Sequence, residues 1–313
     1  MNFIKKFIIV TRAFSFTVSG SSVILGSISA LVFTETEFNP IYFVLAWIGM
    51  VVLHAGANIL NDIYDYKKGI DREVYQVSGG VVRGIVSIKE AYIWSITMFA
   101  IGISIGIFLA LNTNILLLAV GLAGVLIGIF YSSLFDFRDR ALGDLSVFVT
   151  FGILGSLGGW VVQTGRFSWL PILWGVPSSL LVIAILHSNN WRDIERDTNV
   201  GCKSVASIFG DSFSEKYYFF LIFMPFVLTF AYIFVPNFIS VNIPALPLTS
   251  LLVLLALPMG LKLRRKALFR NDPEKQTEFI DLDGVTSGFH FVFVMLSVAG
   301  LLLMNFLGQA VML

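Results

Sequence analysis

The chain has 313 residues, 57% of them hydrophobic and only 13% charged, and its mean hydropathy is +0.85. A soluble domain is typically about 25% charged, so soluble globular, disordered, collagen-like and nucleic-acid-binding classes are excluded. A single cysteine, Cys202, leaves neither a disulfide framework nor a cysteine-based zinc cluster, and the net charge of +1 is uninformative until the charges are placed along the chain.

Stretches free of Asp, Glu, Lys and Arg run over 13–34, 38–61, 91–135, 145–165, 167–191, 217–261 and 284–313. About 20 apolar residues cross a bilayer as a helix. A single helix filling 91–135 or 217–261 would be about 67 Å long, more than twice the ~30 Å hydrocarbon core. Each of these stretches therefore holds two helices, with turns at Leu111–Asn114 and between Pro236 and Pro247. The spacing predicts an all-α, polytopic membrane protein: nine transmembrane helices in one domain, 1–313. Pro225 and Pro258 fall inside predicted helices and are expected to kink them by removing a backbone donor. The first apolar stretch runs too long for a cleavable signal peptide, and none is expected.

With nine helices, 20 of the 21 basic residues fall on one side, Arg166 being the exception. The positive-inside rule places that side, and the N-terminus, in the cytoplasm and the C-terminus outside. Of the 20 acidic residues only Glu35 and Glu37 fall on the other side. The chemistry is therefore expected at the cytoplasmic face, around a central cavity open to that face. The lipid bilayer is the expected environment; no nucleic acid and no protein partner is predicted.

Two acidic motifs stand at helix ends on that face. The first is Asn58-Ile-Leu-Asn61-Asp62-Ile-Tyr-Asp65, followed by Asp71 and Arg72. Asn58, Asp62 and Asp65 are spaced i, i+4, i+7 and share one helical face. Two carboxylates one turn apart at a membrane boundary repel unless a cation relieves them. Carboxylate and amide oxygens suit Mg²⁺, which takes one or two protein carboxylates together with substrate phosphates. The plainer alternative is a solvated helix end turning at Gly69. The second motif, Asn189-Asn190-Trp191-Arg192-Asp193-Ile-Glu195-Arg196-Asp197, repeats the design with Asn189, Asp193 and Asp197 at i, i+4, i+8. Its plainer alternative is an i,i+4 ion-pair network through Arg192 and Arg196. Between the motifs, Tyr131-Ser-Ser leads to Arg138 and Arg140, whose guanidinium groups fit phosphate oxygens but also serve as ordinary positive-inside anchors. Lys203 is a further candidate for phosphate.

Together these motifs resemble the two aspartate-rich motifs of the UbiA-type intramembrane prenyltransferases, and the likeness extends over nearly the whole chain. The Lys-Gly-Ile-Asp71 spacing, His187-Ser-Asn189-Asn190-Trp-Arg192-Asp193, Arg140-Ala-Leu-Gly143-Asp144 and Val161-Val-Gln163-Thr164-Gly165 resemble the menaquinone-branch enzymes, the 1,4-dihydroxy-2-naphthoate polyprenyltransferases. The chain departs from the family's habit at Ser133-Leu134, where proline often follows Tyr-Ser, and at Ser204-Val205, where Thr-Leu is common.

The resemblance implies a single transmembrane prenyltransferase domain. It implies Mg²⁺-dependent transfer of a polyprenyl group from an allylic prenyl diphosphate to a small aromatic acceptor. Asp62, Asp65, Asp193 and Asp197 would hold the metal. Asn58, Asn189, Arg72, Arg138, Arg140 and Lys203 would bind the diphosphate. Tyr131 would steady the allylic cation or position the diphosphate, and Asp71 would assist deprotonation of the acceptor. Other acceptors (4-hydroxybenzoate, homogentisate, haem, geranylgeranylglyceryl phosphate) remain open at this point. A cation-coupled transporter is the rival class, disfavoured because its site would be expected near the bilayer midplane rather than at one face.

Overall fold

The computed structural model describes residues 1–69, 79–238, 243–272 and 274–311. Among them the elements are helical, with no strand beyond an isolated backbone bridge between Arg140 and Lys203. A short amphipathic helix, α1 (Phe3–Val10), precedes the bundle.

Among the described residues seven helices are long and apolar enough to cross a membrane. They are α2 (Ala13–Phe33, including its leading turn), α3 (Pro40–Lys68), α4 (Ile88–Asn112), α6 (Gly143–Thr164), α7 (Leu170–Arg192), α8 (Asp211–Phe234) and α10 (Leu282–Leu307). Two of the nine predicted spans are not among these seven. Helix α5 (Leu116–Phe130) is apolar but only 15 residues long, about 22 Å at 1.5 Å per residue. The other, α9, is compound: a 3₁₀ stretch, Leu248–Ala256, runs into an α-helix, Leu257–Ala267. Pro258 stands in the first turn of that α-helix, where its missing N–H costs nothing, so it marks a change of helix type rather than a kink. Pro225 does lie inside a helix, α8, and Pro177 lies inside α7.

The helix ends follow local chemistry. Pro40 opens α3, and the Asn39 side chain accepts the Tyr42 N–H at 3.0 Å. Lys67 and Lys68 close α3 against the negative end of its dipole, and Gly69 at φ +69° forms the left-handed cap. Ser87 and Glu90 form a reciprocal capping box at the start of α4. Continuous helix through Lys68 carries Asn58, Asp62 and Asp65 in register, as their spacing requires.

Helix α6 is irregular. Its middle, Phe148–Leu154, is π-helical, and the Gly155 N–H reaches back to Thr150 O. Such widened turns re-aim side chains and recur at functional sites.

The bundle packs closely where side chains are smallest. A Cβ at Gly26 of α2 would lie 2.0 Å from Ser156 O of α6, and one at Gly159 of α6 would lie 2.5 Å from Val23 O of α2. The Ser27 hydroxyl donates to Gly159 O at 3.1 Å across this seam. With no hydrophobic force to drive helices together in lipid, close backbone approach and interhelical hydrogen bonds carry the association. Elsewhere Trp191, Tyr218, Phe279, Phe289 and Phe293 form a buried aromatic core joining α7, α8 and α10. Large apolar side chains of α4 and α5 such as Ile96, Leu111 and Leu122 remain exposed, the composition a lipid-facing surface needs.

Because the α2–α6 seam has no room for a side chain, Gly159→Leu should cost about 1–3 kcal/mol or more. Thermal unfolding in detergent, read by loss of monodisperse protein, should show a much lower midpoint for this variant than for Gly106→Leu, where a Cβ would meet open space.

Candidate active site

A cavity of about 340 Å³ lies within the bundle. Leu53 of α3, Phe99 of α4, Ile127 of α5, Phe151 of α6 and Ile185 of α7 give it apolar lining. Both acidic motifs line the same cavity: Asn58, Asn61 and Asp65 of the first, Asn189, Asp193 and Asp197 of the second. The motifs are more than 120 residues apart in sequence, and the fold brings them to one space.

The first motif is held by two arginines. Arg138 donates through Nη1 to Asn61 Oδ1 at 2.9 Å and to the Asp65 carboxylate, and through Nε to Asp139 Oδ1 at 2.7 Å. Lys68 Nζ pairs with Asp139 at 2.8 Å and with Asp136. Arg12 Nη2 lies 3.8 Å from Asp65 and 4.0 Å from Asp62. Asp62 is almost wholly buried, accepts the Val81 N–H at 2.8 Å and does not line the cavity. Of the two described carboxylates of the first motif, Asp65 is therefore the one that lines the cavity. Asp71 and Arg72 lie outside the described residues.

The second motif differs in its backbone. Helix α7 ends at Arg192, and Asp193 sits at a break before a short helix, Ile194–Asn199. The register survives: the Asp193 N–H donates to Asn189 O at 3.2 Å, and the Asp197 N–H to Asp193 O at 2.8 Å. The Asp193 carboxylate accepts from Arg192 Nε (3.2 Å) and Nη2 (3.1 Å) and from Arg196 Nη2 (2.9 Å). Arg192 Nη1 reaches Asp283 at the start of α10 at 3.1 Å.

The segment between α5 and α6 links the motifs. The Ala141 N–H donates to Lys203 O at 2.6 Å, and the Lys203 N–H to Asp139 O at 3.2 Å. Asp136 and Ala141 adopt φ of +50° and +59° to make this turn. The pairing turns the side chains of Arg140 and Lys203 outward: both are exposed and neither lines the cavity. Of the basic residues expected at phosphate, Arg138 alone among those described faces the cavity. Tyr131 lines it too, and burial raises its phenol above the ordinary range.

Two contributors were not singled out by the sequence reading. Arg12 lines the cavity from the turn before α2, with a backbone φ of +53°, a conformation that costs a non-glycine residue about 1–2 kcal/mol. Asp283 lines it from α10. Each was visible only as the last charge before an apolar stretch.

Electrostatics divides the carboxyls. Burial would raise Asp139, but the hydrogen bonds and charges of Arg138 and Lys68 outweigh it and hold the group at about 2. Burial and then the charge of Asp193 push Asp197 up to about 7. A cation bound by Asp197 would therefore displace a proton. Among the described residues no three His, Cys, Asp or Glu side chains cluster closely enough to hold a metal by themselves. The donor set nevertheless fits a hard cation that arrives with its own phosphate ligands, because Mg²⁺ binds through one or two carboxylates plus substrate oxygens. Arg12 Nε, buried and without a hydrogen-bond partner among the described residues, suits an anion at the same place.

Both acidic motifs and the guanidinium groups beside them thus meet at one cavity inside a bundle of helices long and apolar enough to cross a membrane. The UbiA prenyltransferase family model matches residues 22–280, and the chain belongs to that family as a prenyltransferase enzyme. It is 30% identical over 300 residues to UbiA prenyltransferase domain-containing protein 1 of Gallus gallus, covering 95% of this chain and 86% of that one. Its fold is similar to a UbiA homolog from Archaeoglobus fulgidus bound to DMAPP and Mg²⁺ (TM-score 0.61, 18% identity, 93% of this chain and 99% of that one). It is similar also to the apo UbiA homolog from Aeropyrum pernix K1 (TM-score 0.65, 17% identity, 91% and 97%).

The buried pairing of Arg138 with Asp65 predicts a contrast. Arg138→Ala leaves a buried carboxylate short of its partner and should cost roughly 3 kcal/mol of stability. Arg140→Ala, at an exposed side chain, should stay within about 0.5 kcal/mol. Denaturation midpoints of the two variants in the same detergent measure the difference.

Proposed function

We propose that the chain transfers a polyprenyl group from an allylic prenyl diphosphate to 1,4-dihydroxy-2-naphthoate in menaquinone biosynthesis, with Mg²⁺. The observation that carries this reading is the single cavity that joins both acidic motifs to an apolar wall. A prenyl diphosphate has that polarity: a dianionic or trianionic head and a hydrocarbon tail. The Archaeoglobus fulgidus homolog supports the pairing, being bound to DMAPP and Mg²⁺. The menaquinone-branch motifs at Arg140–Asp144 and His187–Asp193 support the acceptor.

In this reading Asp65, Asp193 and Asp197 hold Mg²⁺, with Asp62 supporting them from behind. Mg²⁺ supplies charge that stabilises the departing diphosphate. Arg12 and Arg138 point donors at the same oxygens, where charge develops as the allylic C–O bond breaks. The bonding pair leaves with the diphosphate. The allylic carbon then forms a C–C bond with the electron-rich acceptor ring at its carboxylate-bearing carbon, and the carboxylate leaves as carbon dioxide, its bonding pair returning to the ring and restoring aromaticity. Leu53, Phe99, Ile127 and Phe151 hold the prenyl chain and keep water from the cation. Tyr131, its proton held by burial, presents a neutral ring beside the reacting carbon. By the family resemblance Asp71 would assist deprotonation of the acceptor and Arg72 would bind the diphosphate, and Arg140 and Lys203 contribute long-range positive charge.

Helices α5 and α9 complete nine spans in this proposal. The N-terminus and both motifs then face the cytoplasm and the C-terminus lies outside, as the Lys and Arg distribution requires.

A panel of prenyl diphosphates against aromatic acceptors, on purified protein with and without Mg²⁺, tests the reading. Prenylated dihydroxynaphthoate should form only with Mg²⁺, and Asp65→Ala and Asp193→Ala should each lower kcat/KM at least about 10²-fold. Product from 4-hydroxybenzoate, homogentisate or a glyceryl phosphate instead would reassign the acceptor. EDTA-resistant, full activity in both variants would remove the metal from the reading.

A further inference from the structure

The leading asparagine of each motif shows an unexpected common feature. The Asn58 side-chain nitrogen donates to Thr11 O at 3.0 Å and to Ser15 Oγ at 3.0 Å. The Asn189 side-chain nitrogen donates to Asp283 Oδ2 at 3.1 Å. A carbonyl oxygen and a carboxylate can only accept, so it is the nitrogen of each amide that faces these partners. Both asparagines line the cavity, yet both are tied by their donors to a different element.

The element each holds carries a charged residue for the motif. Thr11 and Ser15 bracket Arg12, whose guanidinium approaches Asp62 and Asp65. Arg12 stands in the left-handed region at φ +53°, ψ +50°, a conformation that persists only where its surroundings over-determine it. The Ser15 hydroxyl and N–H close the turn onto Arg12 O at 2.8 and 2.9 Å, and Asn58 fastens both flanks of that turn to α3. At the second motif, Asp283 accepts from Asn189 and also from Arg192. Arg192 in turn binds Asp193 through its other nitrogens. Each motif thus uses one amide to fix the counter-charge of its own carboxylate.

We propose that Asn58 and Asn189 are positioning residues. Asn58 acts through Arg12, and Asn189 acts through Asp283 and Arg192, each by its amide N–H rather than by donating an oxygen to metal. The proposal rests on the reading of the cavity as the diphosphate site.

Asn58→Asp separates donor from ligand, since it keeps an oxygen at the position and removes the N–H. The probe is inorganic pyrophosphate, bound to purified full-length protein without metal and read by intrinsic fluorescence or thermal shift. Prenyl diphosphate KM, kcat and Mg²⁺ half-saturation are measured alongside. Asn58→Asp is expected to weaken pyrophosphate binding and raise KM on the order of tenfold, the effect of one or two hydrogen bonds, with Mg²⁺ half-saturation unchanged. Ser15→Ala, which removes one acceptor from the far side of the clamp, should move the same quantities in the same direction by less. The double variant Asn58→Asp with Arg12→Ala should bind pyrophosphate no worse than Arg12→Ala alone, the non-additivity expected of groups acting as one unit. The cycle of Asn189→Leu with Asp283→Asn should be likewise non-additive. If Asn58→Asp binds pyrophosphate as the wild type does, or shifts only the Mg²⁺ half-saturation, or if the double effects add, the clamp is overturned and the prenyl-transfer reading stands. Wild-type protein that binds no pyrophosphate and makes no prenyl product overturns both.

Discussion

The structure depends on how negative charge is kept inside a membrane bundle. Asp62, Asp65 and Asp193 are all buried, and an uncompensated carboxylate at such a place costs several kcal/mol. Arg12, Arg138, Arg192 and Arg196 supply the compensation. These arginines come from separate parts of the chain, so satisfying the carboxylates fixes the turn before α2, the segment after α5 and the end of α7 against one another. The charge balance of the site and the tertiary arrangement of its end of the bundle are one constraint.

That constraint also shapes the chemistry. In the proposed reaction the same guanidinium groups would share their donors between the aspartates and the diphosphate, and a divalent cation would take over part of the aspartates' charge. Asp139, beside Arg138 and Lys68, is held at about 2, whereas burial and then the charge of Asp193 raise Asp197 to about 7.

Much of this was legible in the sequence. Charge-free runs mark the helices because lipid tolerates few charges, and α2, α3, α4, α6, α7, α8 and α10 follow them closely. The i, i+4 spacing of both motifs survives in space because α3 runs unbroken through Lys68 and because the register continues past the break at Asp193. What escaped was everything decided by long-range packing. That Asp62 turns to Val81 while Asp65 faces the cavity depends on a loop 19 residues away. Arg140 and Lys203 look like phosphate ligands in one dimension, and a backbone pairing points them outward. Arg12 was not singled out, because nothing local announces a left-handed turn at an arginine. The change of helix type at Pro258 was read as a kink because a proline near a helix start and one inside a helix look alike in the sequence.

The pairing of residues 139–141 with Lys203 has a mechanical consequence. It joins the two halves of the chain through peptide groups, outside the reach of most side-chain substitutions. Helices respond to a thicker or thinner bilayer by tilting, which would ordinarily slide their ends past each other by ångströms. A short backbone staple across the polar end resists that sliding at the one level where registry between Asp65 and Asp193 matters. The spacing of the two acidic motifs is thereby tied by main-chain hydrogen bonds as well as by the packing of the helices that carry them.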